Sequence, residues 1–137
     1  MGETRDIVFV CLHGSAKSPL AAADFERLAN ERRLRVRVIA FGLEPDPHVS
    51  PLVVAALAGE GIDLSAARPR GVTAADLRGA WRVISFGCDL RDIAPADVPV
   101  ERWDEVPAVS EGLEVARAAI GVRLGRLLDD CERADGC

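Results

Sequence analysis

Residues 11–18 (CLHGSAKS) place a cysteine, a glycine, a lysine and a serine between an apolar run and a predicted helix. Cys11 ends the run IVFV, Gly14 gives the following turn conformational freedom, and Lys17 and Ser18 open the helix. A thiol at the N-terminal end of a helix loses its proton more readily, because the dipole and the first backbone N–H groups stabilise the thiolate. We therefore interpret Cys11 as a candidate nucleophile above an anion-binding loop, called here the Cys11 loop (residues 11–18).

The backbone of the Cys11 loop is predicted to bind an oxyanion. The N–H groups of residues 12–17 can turn inward as a nest, and this concavity suits a tetrahedral anion. Lys17 adds a positive charge, and the Ser18 hydroxyl can donate to the thiolate or cap the helix. The predicted phosphate-binding residues are Leu12, His13, Gly14, Ser15, Ala16 and Lys17. The competing interpretation is a structural thiol, because cysteine is among the most buried residue types.

The elements that must position this loop alternate between strands and helices. Apolar and β-branched runs predict strands over residues 6–10, 35–41, 81–86 and 100–103. Helical periodicity and capping signals predict helices over 18–33, from Ser50-Pro51 to about Gly59, and from Ser110 onward. This alternation implies right-handed crossovers and a parallel sheet with helices on both faces. In such sheets ligands bind beyond the carboxyl ends of the strands, where Cys11 stands.

Each predicted helix has a face that should be buried. These faces are Ala21, Phe25 and Leu28 in the first helix, Leu52, Val53, Ala56 and Leu57 in the second, and Leu113, Ala116, Ile120, Leu124, Leu127 and Leu128 in the last. The tail after Asp130 is predicted to be disordered.

Length and composition predict one soluble domain spanning residues 1–137. The chain has 49% apolar and 28% charged residues, which is ordinary for a globular protein. A net charge of −5 argues against nucleic acid or an anionic membrane as the main partner. The N-terminus MGETRD lacks the basic start and apolar middle of a signal peptide, and no apolar run approaches a membrane span. We therefore expect a cytoplasmic protein with no membrane partner, and the sequence predicts no particular oligomeric state.

The four cysteines, Cys11, Cys88, Cys131 and Cys137, lie far apart and show no Cys-x-x-Cys spacing. Without an export signal, this distribution favours free thiols in a reducing compartment over a disulfide framework or a zinc site. We predict neither a metal nor a cofactor. Cys131 and Cys137, on or beyond the final helix, are predicted to be surface thiols.

The sequence resembles the low-molecular-weight protein tyrosine phosphatase family, whose fold is shared with thioredoxin-coupled arsenate reductases. The family's loop is Cys-x5-Arg-Ser directly after the first strand, and VFVCLHGSAKSPLAA aligns with it without gaps. The resemblance continues through FGLEPDPHVSPLVVAALAGEGIDLSAARPR, the third strand and, more loosely, ERWDEVPAVSEG and the last helix. It therefore covers nearly the whole chain.

This resemblance implies a three-layer, phosphotyrosine phosphatase I-like α/β fold with four parallel strands in the order 2-1-3-4. It also implies hydrolysis of phosphate monoesters through a cysteinyl-phosphate intermediate, with Cys11 as nucleophile, Lys17 as charge clamp and Ser18 as thiolate partner. The implied partner is a phosphate monoester or another oxyanion, with a phosphotyrosine protein among the candidates.

The sequence departs from the family pattern inside the loop. Lys17 stands where the family has arginine, and an ammonium is a point charge where a guanidinium grips two phosphoryl oxygens with a planar fork. Turnover should therefore be slower than in a standard member. Gly14 replaces the usual asparagine and can adopt the same left-handed geometry, whereas His13 replaces a glycine and can shape the rim or take a proton. The chain also has no tyrosine, so the tyrosines that flank some members' acid loop are missing.

A second departure concerns the general acid, which in the family is an aspartate before proline in the loop after the fourth strand. Here Val106 precedes Pro107. Asp104 and Glu105 lie nearby, and either can protonate a leaving oxygen if the loop is shifted by a residue or two. An exposed acidic turn explains these two residues equally well.

Arsenate reduction needs a relay of thiols, and in that branch two further cysteines follow the third strand. Cys88 is close to the first of them, but residues 89–96 (DLRDIAPA) contain no second. We therefore rank a slow phosphatase first and a non-catalytic oxyanion- or phosphopeptide-binding protein close behind it. An arsenate reductase that uses an external thiol is the alternative enzyme.

Overall fold

The structure is a computed structural model that describes residues 4–135. Its strands are β1 (Arg5–Cys11), β2 (Val36–Gly42), β3 (Arg82–Ser85) and β4 (Val100–Arg102). Its helices are α1 (Lys17–Glu31), α2 (Pro51–Ala58), α3 (Ala74–Leu77) and α4 (Leu113–Asp135), and a 3₁₀ turn spans Val109–Glu111. Within the described residues, no helix is both long and apolar enough to cross a membrane.

The strands form a parallel sheet in the order β2-β1-β3-β4, which confirms the predicted order 2-1-3-4. Cys11 pairs with Gly42, and Val10 pairs with Ser85. The last residues of β2, β1 and β3 therefore lie at one edge of the sheet. The Cys11 loop begins at this edge.

β1 is apolar from Ile7 to Cys11 because both of its faces are covered there. Ile7, Phe9 and Cys11 face a core formed with α1 and α4, while Val8 and Val10 face a smaller core that includes Leu77 of α3. These five side chains are at most 7% exposed. An alternating strand would bury only one of these faces.

An aromatic cluster fills the larger core beneath the Cys11 loop. The ring of Phe9 lies 6.0 Å from that of Phe25 and 6.1 Å from that of Trp103, and Phe86 lies 5.6 Å from Trp103, measured between centroids. These edge-to-face contacts stabilise the core beyond the effect of area burial. They fix the end of β1 and the segment after β3, from which the candidate site is built.

A buried ion-pair network joins α1 to α4. Arg117 donates from Nη2 to Asp24 Oδ1 at 2.7 Å and from Nε to Oδ2 at 2.9 Å, and it also binds Glu60. The hydrogen bonds to Asp24 and Glu60 raise the pKa of Arg117 above its ordinary value. Asp24 is only 5% exposed, and without Arg117 it would keep only the longer contact with Arg27, whose Nη2 lies 3.5 Å from Asp24 Oδ1.

Three expectations about the helices were wrong. Cys131 is not a surface thiol but 1% exposed, since α4 continues past it and Cys131 extends the buried face of Leu124, Leu127 and Leu128. The tail after Asp130 is helical to Asp135, where an Arg5–Asp135 ion pair joins it to β1. Leu52 is 52% exposed, because α2 packs on the core through Val53 and Leu57. Cys137 lies outside the described residues.

Candidate active site

Cys11 and Ser18 face each other at the start of the site. The Cys11 Sγ lies 3.1 Å from the Ser18 Oγ, which in turn lies 3.2 Å from the carbonyl oxygen of Phe41. Both side chains are buried, with exposures of 7% and 0%. The hydroxyl has one proton, so it can donate to Phe41 while the thiol is protonated and to the sulfur once the thiolate forms. The Ser18 hydroxyl can therefore donate a hydrogen bond to the thiolate, and it has a hydrogen-bond partner in either state of Cys11.

The backbone of the loop is held by the segment over residues 43–50. Its carbonyl-to-amide pairs, acceptor first, are Cys11–Leu43 (3.0 Å), Leu12–Glu44 (2.7 Å), His13–Asp46 (2.9 Å) and Ser15–Ser50 (2.7 Å). In a trans peptide the C=O and the next N–H point in opposite directions. The N–H groups of residues 12, 13, 14 and 16 therefore point away from this segment. Their role as an anion-binding nest stays a prediction.

Two glycines allow the loop and β2 to touch. Gly14 has φ +63°, in the left-handed region that costs L residues about 1–2 kcal/mol. A Cβ on Gly14 would lie 2.7 Å from the Gly42 nitrogen, and a Cβ on Gly42 would lie 2.6 Å from the Gly14 nitrogen. The backbones therefore pack directly against each other, and the position of the loop is set by the end of β2.

Lys17 crosses from the start of α1 to the segment after β4. Its Nζ donates to the carbonyl oxygen of Val106 at 2.9 Å, and the side chain is partly buried. This contact holds the ammonium beside the loop opening. The Lys17 ammonium is thus positioned by the segment after β4, which also carries the predicted acids Asp104 and Glu105.

A cavity of about 320 Å³, called here the Cys11 cavity, lies over the loop. It is lined by Cys11, Leu12, His13, Ser15, Ala16, Lys17, Ser50, Leu52, Phe86, Ala108, Val109 and Ser110. Leu12 and Leu52 are 45% and 52% exposed, so aliphatic side chains form part of its mouth. The exposure of Leu52, which the helical pattern of α2 did not predict, is explained by this position.

Neither predicted acid lines the Cys11 cavity. Asp104 accepts a hydrogen bond from Arg102 Nε at 3.1 Å, and Glu105 accepts one from Arg123 Nη2 at 2.7 Å. Both carboxylates are about half exposed. None of the residues that line this cavity carries a carboxylate. A catalytic role for Asp104 or Glu105 stays a prediction, and it needs the loop to rearrange on substrate binding.

His13, Ser15 and Asp46 form a polar cluster at the rim of the Cys11 cavity, which the sequence did not predict. His13 Nδ1 is 3.1 Å from the carbonyl oxygen of Glu44 and 3.6 Å from Asp46 Oδ1, and the Ser15 hydroxyl donates to Asp46 Oδ2 at 2.8 Å. Asp46 thus connects two cavity-lining residues. The sequence signal for Asp46 is its position between Pro45 and Pro47, four residues after the end of β2.

The other described cysteines are buried and held as thiols. Desolvation, followed by the nearby Cys11, raises the pKa of Cys88, and its backbone is fixed by two hydrogen bonds with the Ser85 hydroxyl at 2.7 and 2.9 Å. Burial raises the pKa of Cys131 to about 11. Among residues 4–135, no cluster of three or more His, Cys, Asp or Glu side chains is arranged to hold a metal ion.

We expect Cys11 to be the first thiol alkylated by iodoacetamide at mildly acidic pH. The raised pKa values of Cys88 and Cys131 keep both protonated, and only thiolates react. Phosphate or vanadate should protect Cys11 by filling the loop. Mass spectrometry of tryptic peptides, in a Cys137→Ser background, measures the order. Equal alkylation of Cys11, Cys88 and Cys131, unchanged by phosphate or vanadate, would contradict this expectation.

Comparison with known sequences identifies relatives of both predicted kinds. The sequence model of the low molecular weight phosphotyrosine protein phosphatase family matches residues 6–97. A protein of Halobacterium salinarum that carries the provisional name arsenate reductase is 32% identical over 102 residues, covering 73% of this chain and 72% of that protein.

Solved structures share the fold at low identity. A protein tyrosine phosphatase from Entamoeba histolytica has a TM-score of 0.82 and 15% identity, over 96% of this chain and 99% of that one. A thioredoxin-dependent arsenate reductase from Corynebacterium glutamicum has a TM-score of 0.76 and 23% identity over 97% of this chain, which spans 64% of that protein's length. These likenesses confirm the predicted three-layer fold.

Proposed function

This chain belongs to the low molecular weight phosphotyrosine protein phosphatase family, and we propose that it hydrolyses phosphate monoesters slowly through a cysteinyl-phosphate intermediate on Cys11. The observation that carries the proposal is the 3.1 Å contact between the Cys11 sulfur and the Ser18 hydroxyl at the base of inward-turned amides. A nucleophile, its activating partner and an oxyanion site are thereby within one short loop.

In the first step the Cys11 thiolate attacks phosphorus, the S–P bond forms and the bond to the leaving oxygen breaks. The inward N–H groups of the loop are available to the phosphoryl oxygens, which are the atoms whose charge changes in such transfers. Ser18 stabilises the thiolate before attack. In the second step water attacks phosphorus, the S–P bond breaks, and the thiolate returns as inorganic phosphate departs.

Lys17 supplies positive charge to the same oxygens and explains why we propose slow turnover. Its ammonium already donates to Val106 O at 2.9 Å, so it offers the phosphoryl group fewer donors than a guanidinium would. The aliphatic side chains of Leu12 and Leu52 at the mouth suit an apolar or aromatic ester group. A phosphotyrosine side chain fits that description.

Arsenate reduction is the second candidate, favoured by one observation. Val10 pairs with Ser85, so Cys11 at the end of β1 and Cys88 after β3 lie at the same edge of the sheet. After desolvation, the nearby Cys11 is the second cause that raises the pKa of Cys88. Arsenate bound in the loop would be reduced by two electrons to arsenite as two thiols are oxidised to a disulfide. The second thiol is Cys88 or a small external thiol.

A single set of assays separates these activities. We expect 4-nitrophenyl phosphate to be hydrolysed and quenching with an alkaline denaturant during turnover to trap a phosphoryl group on the Cys11 peptide, detected by mass spectrometry. A reductase would instead show arsenate-dependent oxidation of thioredoxin or glutathione. Loss of that oxidation in Cys88→Ser, with hydrolysis unchanged, would identify the internal relay.

Two outcomes would count against the proposal. Hydrolysis without a trapped phosphocysteine would contradict the intermediate. Phosphate binding without any hydrolysis would favour the non-catalytic oxyanion-binding protein.

A further inference from the structure

We propose that His13 is the proton donor and acceptor of this site, oriented by the Glu44 carbonyl and the Asp46 carboxylate; the inference rests on the proposed function. His13 lines the Cys11 cavity together with Cys11 and Lys17. It is 51% exposed at its side chain, so it is open to a substrate entering the cavity.

The hydrogen bond between His13 and the Glu44 carbonyl determines which ring nitrogen can exchange a proton with the substrate. Nδ1 lies 3.1 Å from the Glu44 carbonyl oxygen, which can only accept a hydrogen bond. Nδ1 therefore carries a proton in the neutral ring as well as in the charged one. Nε2 is then the nitrogen that gains and loses the exchangeable proton.

Asp46 supports the charged form of the ring. Its Oδ1 lies 3.6 Å from His13 Nδ1, while its Oδ2 accepts from the Ser15 hydroxyl at 2.8 Å, which fixes the carboxylate. A base oriented by a second group that is itself held in place is the usual design of an acid–base residue. Asp46 is a positioning residue in this arrangement.

The charges around His13 come from each segment that packs on it. Asp46 stands on the segment after β2, which also supplies the Glu44 backbone carbonyl, and Cys11 and Lys17 stand on its own loop. Of these charged groups, the Asp46 carboxylate is the one in contact with the ring, at 3.6 Å from Nδ1.

The site otherwise lacks a proton donor for the leaving group. No carboxylate lines the Cys11 cavity, and Asp104 and Glu105 are held by arginines outside it. The Lys17 ammonium already donates to Val106. Among the side chains that line the cavity, the His13 imidazole is the one that can both give and accept a proton through Nε2.

The proton transfers balance over the cycle. As the P–O bond breaks, its electron pair stays on the leaving oxygen, which takes the Nε2 proton and departs as an alcohol or phenol. Neutral His13 then takes a proton through Nε2 from the water that attacks phosphorus. Cys11 leaves as thiolate, phosphate departs, and the imidazolium is restored.

The test compares leaving groups within each variant. We expect His13→Gln to lower kcat/KM for phenyl phosphate about a hundredfold while changing that for 4-nitrophenyl phosphate little, because nitrophenolate leaves without a proton. A loss of fold would lower both equally. The chain's other histidine, His48, is exposed and does not line the cavity, so His48→Gln is the matched control and should resemble the native protein.

The pH profile gives a second measurement. If the donor must be protonated, kcat/KM for phenyl phosphate should fall on the alkaline side of the profile, and His13→Gln should lose this limb.

Equal losses for both esters in a His13→Gln protein whose circular dichroism shows it to be folded, or an alkaline limb that survives in it, would overturn the role of His13. A selective loss in His48→Gln would do the same. Hydrolysis that survives Cys11→Ser would instead overturn the proposed function, so the two failures are distinguishable.

Discussion

Replacing Cys11 with serine should lower phosphate-monoester turnover at least about a thousandfold. A hydroxyl keeps its proton under conditions where the thiol can ionise, so the first step loses its nucleophile. The second step is impaired too, because an alkoxide leaves phosphorus much less readily than a thiolate. Steady-state hydrolysis of 4-nitrophenyl phosphate by native and variant protein measures the loss.

The same variant separates catalysis from binding. Ser and Cys have similar volumes, and the amides proposed to bind the anion belong to residues 12, 13, 14 and 16, so inorganic phosphate should bind Cys11→Ser with nearly native affinity by calorimetry. Loss of binding together with activity would point to a distorted loop. Activity that persists in the variant would come from a contaminating hydrolase and end the case for a cysteine-based mechanism.

Replacing Lys17 with arginine should raise turnover by about a hundredfold, the scale associated with one preorganised donor to a developing oxyanion. The guanidinium has five N–H donors where the ammonium has three. In the native protein the Lys17 Nζ donates to the Val106 carbonyl at 2.9 Å. One guanidinium N–H can keep this contact, while two others donate to equatorial phosphoryl oxygens.

The gain should appear in kcat more than in phosphate affinity, because the fork matches the transferring group better than the bound product. Lys17→Gln is the matched control, since it keeps a donor for Val106 but removes the charge, and it should lower turnover. An arginine variant that binds phosphate more tightly at unchanged kcat would contradict this role and favour a binding protein.

The sheet could be predicted from sequence because each strand carries its own signal. β1 reads as a continuous apolar run, and its alternate residues fill two separate cores. The helical stripe of α4 was equally readable, and Cys131 continues its spacing from Leu127 and Leu128. The prediction that Cys131 is a surface thiol was wrong because it ended the buried face of α4 one turn too early.

Other features have no such periodic signal. α2 (PLVVAALA) is apolar on every side, so its sequence cannot show that Leu52 faces the Cys11 cavity. The four-residue helix α3 was missed, although Thr73 and Asp76 form a capping box that marks its start. The contact of Asp46 with His13 depends on how the segment after β2 crosses the loop, which is a tertiary relation.

The contact between Gly14 and Gly42 has a consequence for how this sequence can change. Most packed pairs tolerate exchange, since a larger side chain at one position is offset by a smaller one at the other. Here a Cβ at either position meets the partner's backbone within 3.0 Å, and no residue is smaller than glycine. A mutation at one of these two glycines therefore cannot be compensated by a second mutation at the other. We expect neither position to change without a shift of the backbone.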